Sequence, residues 1–285
     1  MLCIVSPHTD PYFNLASEEY LLKFKSDEVF LLYRNSPVVV VGKHQNTLAE
    51  INLAFVQEHS IPVARRISGG GTVFHDLGNL NFAFITNEKE GELVNYKKAT
   101  KPVIEAMAHM GLDVQLGKRN ELLLNGLKIS GTASHVFKQR ALHHGTLLFS
   151  SRMEHLDNAL KTGGSSFADR AVKSVRSKVT NIRHHLAEAM EMEEFQNRLF
   201  EAVSSELEGA VHHQYTTGEM KEIRKLSETR FSTWEWNFGY SPKYQFTKSQ
   251  LFDTGRVDLH MNVEKGIIRE VKIEGDVISE NGLSP

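Results

Sequence analysis

Three consecutive glycines stand in the segment with the most chemical character in this sequence, residues 65–76, RRISGGGTVFHD. Glycine loses more backbone freedom on folding than alanine does, so such a run is a poor choice for stability alone. A backbone without Cβ atoms can approach a ligand closely and offer its N–H groups to phosphate oxygens. Arg65 and Arg66 add fork-shaped donors of permanent positive charge. The segment therefore predicts a loop that binds a phosphate-bearing ligand, although it has neither the P-loop nor the dinucleotide pattern.

A lysine inside an apolar strand is the second candidate for chemistry. Lys128 stands between two apolar residues that are expected to face the core, so its own side chain is expected on the opposite face. Ser130 and Thr132 share that face in the predicted strand, and Gly131 permits a ligand or another strand to approach closely. A lysine on this polar stripe can bridge a carboxylate and a phosphate, because its three N–H donors rotate freely.

Polar residues that follow the glycine loop are weaker candidates. His75 and Asp76 are neighbours on a predicted strand and point to opposite faces, so they are not expected to share one proton. His75 either lines the pocket or stabilises the loop. Asn79 and Asn81 fall on one face of the next strand and are candidates for the pocket lining.

The sequence gives little support for a metal centre or an activated nucleophile. Adjacent histidines occur at 143–144, 184–185 and 212–213, but neighbouring side chains on a strand diverge and do not easily chelate one ion. No H-E-x-x-H or His/Cys ligand set is present, so no metal site is predicted, although one pair can still line the pocket. A Gly-x-Ser-x-Gly elbow is absent, and Cys3 lies far in sequence from both motifs.

Helices and strands alternate along the chain and must position these residues. Helices are predicted over 14–25 (with Asn14 as N-cap), 49–59, 97–110, 193–207 and 219–226. Strands are predicted over 29–33, 38–41, 61–64, 79–85, 121–124, 127–132, 143–150, 255–262 and 266–273, with a loop over 277–285. Asn125-Gly126 is a strong hairpin signal. Tight turns between strands favour a mixed or antiparallel sheet over a doubly wound parallel one.

Composition excludes several classes of protein. The 285 residues carry a formal charge of −2, which argues against a protein held on nucleic acid by a basic surface. No stretch approaches the roughly 18 apolar residues of a membrane span, and no secretory or transit signal is visible. The single cysteine rules out an internal disulfide framework. We therefore expect a soluble cytoplasmic protein with no membrane or nucleic-acid partner.

These motifs together resemble the signature of the A-type lipoate–protein ligases. The resemblance is carried by residues 65–79, by 128–133 followed by 143–148, and by the stretches 14–19, 42–46, 174–181 and 232–239. They occur in the family's order and span about residues 10 to 270. The resemblance implies an α+β fold in which helices flank a mixed or antiparallel sheet, as in biotin and lipoate ligases and class II aminoacyl-tRNA synthetases.

The resemblance also implies two domains and a two-step reaction. A catalytic domain is expected over 1–242 and a small C-terminal α/β accessory domain over 247–285, shorter than in most bacterial members. The implied activity is an ATP-dependent ligation. Lipoate is activated to lipoyl-AMP with release of pyrophosphate, and the lipoyl group then passes to a lysine of a lipoyl-domain acceptor. Acceptors are the E2 subunits of 2-oxoacid dehydrogenases and the glycine-cleavage H protein. A short accessory domain would affect the adenylation step first.

Site residues follow from the family's motifs. The lysine matching Lys128 is the catalytic residue and contacts the lipoate carboxyl end and the α-phosphate. Tyr33 stands where many relatives have a tryptophan near the lipoyl tail. The full set predicted to bind ligands is Tyr33, Arg65, Ser68, Gly70, Gly71, Thr72, Val73, His75, Asn79, Lys128 and Ser130. Mg²⁺ is expected with the pyrophosphate, but no ligand is assigned, because Glu121 stands where many relatives have aspartate.

Two alternatives stay open. The first is a lipoyltransferase that accepts only preformed lipoyl-adenylate, and the second is a non-catalytic module that binds lipoate. The octanoyltransferases of the same fold use a cysteine nucleophile, and no cysteine follows Cys3. Biotin ligase is disfavoured because its own glycine pattern is absent. Release of pyrophosphate from lipoate and ATP separates the ligase from both alternatives.

Overall fold

The computed structural model describes residues 1–88, 93–160 and 166–275. Its strands are β1 (Leu2–Val5), β2 (Val29–Arg34), β3 (Val38–Val41), β4 (Val63–Arg65), β5 (Val73–His75), β6 (Asn79–Asn87), β7 (Val114–Leu116), β8 (Leu122–Leu124), β9 (Leu127–Ser130), β10 (Thr132–Phe137), β11 (Arg140–Leu148), β12 (Ser166–Asp169), β13 (Val211–His212), β14 (Tyr244–Phe252), β15 (Gly255–Glu264) and β16 (Ile267–Gly275). Its α-helices are α1 (Pro11–Phe24), α2 (Thr47–Glu50), α3 (Leu53–Glu58), α4 (Tyr96–His109), α5 (Met153–Ala159), α6 (Met192–Glu206) and α7 (Thr217–Leu226). Among these helices none is long and apolar enough to cross a membrane.

A six-stranded sheet in the order β10-β11-β6-β2-β1-β13 forms the centre of the molecule. β1 runs parallel to β2 and β13, whereas the other neighbouring strands are antiparallel. Successive side chains of β2 enter different cores: Phe30 packs with α4 and α6, and Leu31 packs with α1 and α7. Helices therefore cover both faces of a mixed sheet, which confirms the predicted α+β fold.

The first helix begins earlier than predicted. Asp10 is the N-cap of α1, because its Oδ1 accepts from the backbone N–H of Tyr12 at 2.9 Å, and Pro11 occupies the first helical position. Asn14, the predicted N-cap, is instead fully buried in the first turns of the helix. Its side chain contributes to the core near the candidate site rather than to the helix end.

A three-stranded sheet in the order β4-β3-β5 lies beside the glycine loop. The single helix predicted over 49–59 is wrong, since α2 and α3 are separate and Asn52 caps the second of them by accepting from the N–H of Phe55. Asparagine side chains that bind the backbone favour such a new start over a continued helix. Apolar residues of α3, α5 and this sheet form a third, smaller core.

The predicted hairpin is confirmed, but its second strand is shorter than expected. Asn125 and Gly126 connect β8 and β9 with φ angles of 51° and 76°, as a tight hairpin turn requires. The strand predicted over 127–132 is broken at Gly131. β9 belongs to the sheet β7-β8-β9, whereas β10 belongs to the central sheet. Gly131 makes the crossing by exchanging hydrogen bonds with Thr146.

The C-terminal segment forms an antiparallel sheet in the order β12-β14-β15-β16. β12 comes from the middle of the chain, and its four residues pair with residues 244–247. Over residues 244–275 the structure describes only strands, so the predicted α/β character is not seen there. The boundary predicted between 242 and 247 stays a prediction, and the loop predicted over 277–285 lies outside the described residues. Before this sheet, residues 227–231 and 235–239 form π-helical turns.

Candidate active site

Two adjoining cavities open between the glycine loop, β9 and the segment around residue 174. The first cavity has a volume of about 320 Å³ and the second about 350 Å³. The residues that border both are Thr72, Val73, Lys128, Gly131, Thr146, Lys173, Ser174, Val175 and Ser177. The first cavity alone reaches Leu15, Tyr33, Val40, Arg66, His75, Asn81, Ala133 and His144. The arrangement suits an elongated ligand or two ligands that meet at Lys128.

Lys128 lies where the two cavities join, on a strand that the neighbouring segment holds in place. Its backbone N–H donates to Lys178 and its carbonyl accepts from Thr180, each at 3.0 Å. Burial lowers the pKa of Lys128, and the nearby Glu121 carboxylate opposes that change. Within the described ranges no side chain hydrogen-bonds its Nζ. The ammonium is therefore a partly desolvated cation with donors available for anionic groups in either cavity.

Arg66 holds the glycine loop in shape and lines the first cavity. Its Nη2 donates to the carbonyls of Gly69 and Gly71, both at 2.7 Å, and its Nη1 donates to Val40 at 3.2 Å. Gly70 adopts φ +87°, a left-handed conformation that favours glycine. Burial lowers the pKa of Arg66 to about 10, so the guanidinium stays charged at neutral pH.

Arg65, the predicted ligand arginine, faces away from the cavities. Its guanidinium is fully buried and donates to the carbonyls of residues 42, 43, 45, 236 and 237 and to the hydroxyls of Thr47 and Ser241. All of its donors are used within the protein, and it borders neither cavity. Adjacent strand residues point in opposite directions, so the structure gives the cavity-lining position to Arg66 instead.

Ser174 covers the glycine loop. Its hydroxyl accepts from the backbone N–H of Thr72 at 2.8 Å and from Gln45 Nε2 at 3.1 Å. Gln45 Oε1 in turn accepts from the Thr72 hydroxyl and the Gly42 N–H, both at 2.8 Å. A Cβ on Gly71 would lie only 3.1 Å from the Ser174 hydroxyl oxygen. The loop, the 42–45 segment and Ser174 therefore form one tightly packed unit.

A buried carboxylate organises the far end of the first cavity. Glu18 accepts from the Tyr33 hydroxyl at 2.9 Å and from His144 Nδ1 at 2.8 Å. The Ser68 hydroxyl lies 2.6 Å from His144 Nε2 and therefore orients the His144 ring. Ser68, a predicted ligand-binding residue, does not itself border the cavity. Burial, with the adjacent Glu18 charge, raises the pKa of Tyr33 well above its usual value.

His75 and Asp76 serve different parts of the structure. His75 lines the first cavity, and its Nδ1 is 3.0 Å from Asn35 Nδ2. Burial, together with the nearby charges of Arg66 and His144, lowers the pKa of His75 to about 3. Asp76 accepts from the backbone N–H groups of residues 78 and 152 and fixes the turn that follows.

Two more predicted residues do not reach the cavities. Asn79 is buried and donates to Asn81 Oδ1 at 3.0 Å, whereas Asn81 itself lines the first cavity. Ser130 is fully buried, because the chain crosses from one sheet to the other at Gly131. Thr132, rather than Ser130, therefore borders the cavity beside Lys128.

Asn81, a candidate for the pocket lining, borders the first cavity, and so do seven of the eleven residues predicted to bind ligands. The seven are Tyr33, Gly70, Gly71, Thr72, Val73, His75 and Lys128. No role in the site was predicted for Glu18, Gln45 or Ser174, whereas Arg66 was named as a donor beside the glycine loop and His144 as part of a pair that can line the pocket. All five residues lie inside the motif stretches noted above. Among the described residues no group of three or more His, Cys, Asp or Glu side chains could hold a metal ion.

Comparison with known proteins agrees with this site. The "Lipoyl protein ligase A/B catalytic domain" profile matches residues 10–204, and the "Bacterial lipoate protein ligase C-terminus" profile matches residues 241–285. The lipoate-protein ligase LplJ of Bacillus subtilis is 40% identical over 279 residues, which is 96% of this chain and 84% of the relative.

Solved structures show the same fold. P. falciparum LipL1 in complex with lipoate superposes with a TM-score of 0.71 at 25% identity, over 96% of this chain and 84% of that one. A lipoate-protein ligase A bound with ATP gives a TM-score of 0.71 at 24% identity, over 84% of this chain and 98% of that one. The profile matches and the identity along most of its length show that this chain belongs to the lipoate–protein ligase family.

Proposed function

We propose that this protein is an ATP-dependent lipoate–protein ligase that forms lipoyl-AMP and transfers the lipoyl group to a lysine of an acceptor domain. The observation that carries the proposal is the position of Lys128, which borders both cavities and has its ammonium donors available. A cation at this junction meets the carboxylate of one ligand and the phosphate of another.

The lining of each cavity supports an assignment of its ligand. Apolar side chains of Leu15, Val40 and Ala133 border the first cavity beyond Lys128 and suit the acyl chain and ring of lipoate. The second cavity adjoins the same glycine-loop residues and Ser174, so the nucleotide would occupy it with its phosphates toward Lys128. The reacting groups of the two substrates then meet at the lysine.

The chemistry explains why a cation stands there. One lipoate carboxylate oxygen attacks the α-phosphorus, the bond to the bridging oxygen breaks, and pyrophosphate leaves. Two anions must approach each other, and the Lys128 ammonium offsets their repulsion and the charge that develops in the transition state. In the second step a neutral lysine amine of the acceptor attacks the acyl carbonyl, AMP leaves, and an amide forms after loss of the amine proton.

Mg²⁺ fits the site as a companion of ATP. Protein sites usually hold Mg²⁺ with one or two carboxylates together with phosphate oxygens and water, so a cluster of three protein ligands is not needed. Glu121 lines the first cavity and interacts electrostatically with Lys128. One of its oxygens accepts from the Arg119 N–H at 2.7 Å, and the other lies 3.8 Å from Arg119 Nε, so a bound Mg²⁺ would replace that loose ion pair. Mg²⁺ would supply charge neutralisation on the departing pyrophosphate.

The acceptor in this proposal is a lipoyl domain of an E2 subunit or an H protein, modified in the cytoplasm. Two assays test the whole reaction. The first measures pyrophosphate released from lipoate and ATP, and the second measures lipoyl transfer from synthetic lipoyl-AMP to apo acceptor domains. Activity in both supports the ligase. Transfer alone would show the adenylate-dependent transferase, and activity in neither would show a binding module.

A further inference from the structure

One buried nitrogen at the far end of the first cavity has no partner among the residues that the structure describes. His75 is 3% exposed and lines that cavity, and its Nε2 makes no hydrogen bond within the described chain. The polar groups of Tyr33, Asn81 and His144 at the same end are all bonded to the protein. A buried polar group without a partner is costly, so this nitrogen is arranged for something the cavity receives.

A chain of side-chain amides determines which atom of His75 carries the proton. The Ser6 hydroxyl donates to Asn14 Oδ1 at 2.6 Å, and Asn14 Nδ2 donates to Asn35 Oδ1 at 2.8 Å. Asn14 Nδ2 also contacts the backbone carbonyls of His8 and Arg34 at 2.9 and 3.0 Å, and carbonyls only accept. The orientation of the Asn14 amide is therefore fixed.

The fixed orientation passes to the imidazole. Because Asn35 Oδ1 faces the Asn14 amide nitrogen, its own Nδ2 faces His75 Nδ1 at 3.0 Å and donates to it. An imidazole nitrogen that accepts carries no proton, so the proton of neutral His75 sits on Nε2. The depressed pKa of His75 keeps the ring neutral at physiological pH.

We propose that Asn35 is a positioning residue that holds His75 in the Nε2–H tautomer, and that this N–H recognises a sulfur atom at the tail of the bound acid. The proposal rests on the proposed function, because it takes lipoate as the ligand of the first cavity. His75 borders the first cavity together with the buried side chains of Tyr33 and Asn81, whereas Lys128, which would meet the carboxyl group, borders both cavities. In this proposal the ring of lipoate extends toward His75 when its carboxylate is at Lys128.

This donor would distinguish lipoate from octanoate, which has the same eight-carbon acid chain without sulfur. Sulfur is a weak acceptor, but a carbon tail offers none and leaves the buried N–H unsatisfied. We expect the Nε2–H to favour lipoate over octanoate by about three- to tenfold in Kd.

The wild-type protein provides the first test. In protein labelled with ¹⁵N in the histidine rings, His75 is assigned by the loss of its signals in His75→Phe. We expect a neutral Nε2–H ring from pH 5 to 8, with an Nε2 resonance that shifts when lipoate binds and shifts much less with octanoate. An Nδ1–H or protonated ring, or equal shifts with both acids, would overturn the proposal.

Two variants test the role of Asn35. Asn35→Asp is nearly isosteric, and its carboxylate accepts from Nδ1–H, so a neutral ring should carry its proton on Nδ1 rather than Nε2. The ¹⁵N shifts of the variant are recorded at a pH where they show the ring to be neutral, because a neighbouring carboxylate also favours the doubly protonated ring. His75→Phe keeps a ring but removes the donor. In both folded variants the ratio of octanoate to lipoate Kd should fall toward one, chiefly through weaker lipoate binding. Asn181→Asp is the control, because Asn181 is also a buried asparagine but its side chain bonds the backbone of Ser151 rather than His75.

The outcomes separate this inference from the function on which it rests. If wild-type protein binds neither acid, the proposed function itself fails. If it binds both acids and the ratio of octanoate to lipoate Kd is unchanged in His75→Phe, the proposed function stands but His75 does not recognise the sulfur. If His75→Phe loses the preference but Asn35→Asp, with its proton moved to Nδ1, keeps it, the positioning role of Asn35 is wrong.

Discussion

Arg65 and Trp236 bind each other's backbone reciprocally. Arg65 Nε donates to the Trp236 carbonyl at 2.9 Å, and Trp236 Nε1 donates to the Arg65 carbonyl at 2.7 Å. Asn237 adds a third link, since its Oδ1 accepts from the Arg65 N–H at 2.8 Å. The end of β4, immediately before the glycine loop, is thereby fixed to the aromatic turn that precedes the C-terminal sheet.

We predict that Arg65→Ala acts on stability rather than on ligand contacts. Removing a buried guanidinium leaves several carbonyls and two hydroxyls without donors, which should cost about 3–5 kcal/mol in the free energy of unfolding. Urea unfolding measures this loss. Arg66→Ala is the comparison, because Arg66 lines the cavity and its loss should weaken lipoate binding in protein that is still folded. A weaker lipoate Kd with unchanged stability in Arg65→Ala would contradict the assignment.

Lys128→Ala should abolish adenylation and weaken both lipoate and ATP binding. Loss of a partly buried cation that contacts an anion should cost about 2–5 kcal/mol, or about 30- to 4,000-fold in binding. Lys128→Arg should not rescue the reaction, because a planar fork does not replace a compact ammonium at the junction of the cavities. Lys178→Ala is the control, since Lys178 is exposed and only its carbonyl supports β9. Near-normal pyrophosphate release by Lys128→Ala would refute the role.

Gly71→Val should raise the KM for ATP by about tenfold or more with little loss of stability. The added side chain would push on Ser174, which lies 3.1–3.3 Å from the position of a Cβ, and disturb its bond to the Thr72 N–H. Gly69→Ala is the matched control, because a Cβ there meets nothing within 4 Å. Melting temperature and kinetics are measured on the same samples, and parallel loss of both in Gly71→Val would favour a purely structural loop.

Glu219 should make the protein sensitive to acid. Burial raises its pKa, but hydrogen bonds from Lys25, Thr216 and His213 outweigh burial and lower it to about 2. Because the folded pKa lies below the ordinary value of 4.5, Glu219 stabilises the fold above that pH, and its contribution is lost as the pH falls toward 2. Unfolding followed from pH 6 to 2.5 should show a smaller loss in Glu219→Gln. Glu222→Gln, at an exposed position of α7, should follow the wild type.

Local features of this fold could be predicted from the sequence, whereas features that depend on contacts between distant segments could not. Asn125-Gly126 and Lys128 were predictable because turn chemistry and strand alternation are local. The sequence could not predict which of Arg65 and Arg66 faces the cavity, because strand alternation says only that the two side chains point in opposite directions. The burial of Ser130 depends on a crossing between two sheets, which no local pattern records. Asp10 followed by Pro11 is a typical beginning of a helix and could have been predicted from the sequence. The prediction of Asn14 as the N-cap is wrong because asparagine is also a common capping residue.

A chimaera that exchanged residues 241–285 for those of a relative would set a foreign strand against Ser166–Asp169, because β12 pairs with β14. Asp169 also accepts from Asn46 at 3.0 Å and pairs with Lys173 at 2.8 Å, next to Ser174 over the glycine loop. The four residues of β12, from the middle of the chain, therefore connect the C-terminal sheet to the segment around Ser174 that covers the glycine loop. We expect such a chimaera to keep its fold and activity only when residues 166–169 are exchanged together with residues 241–285.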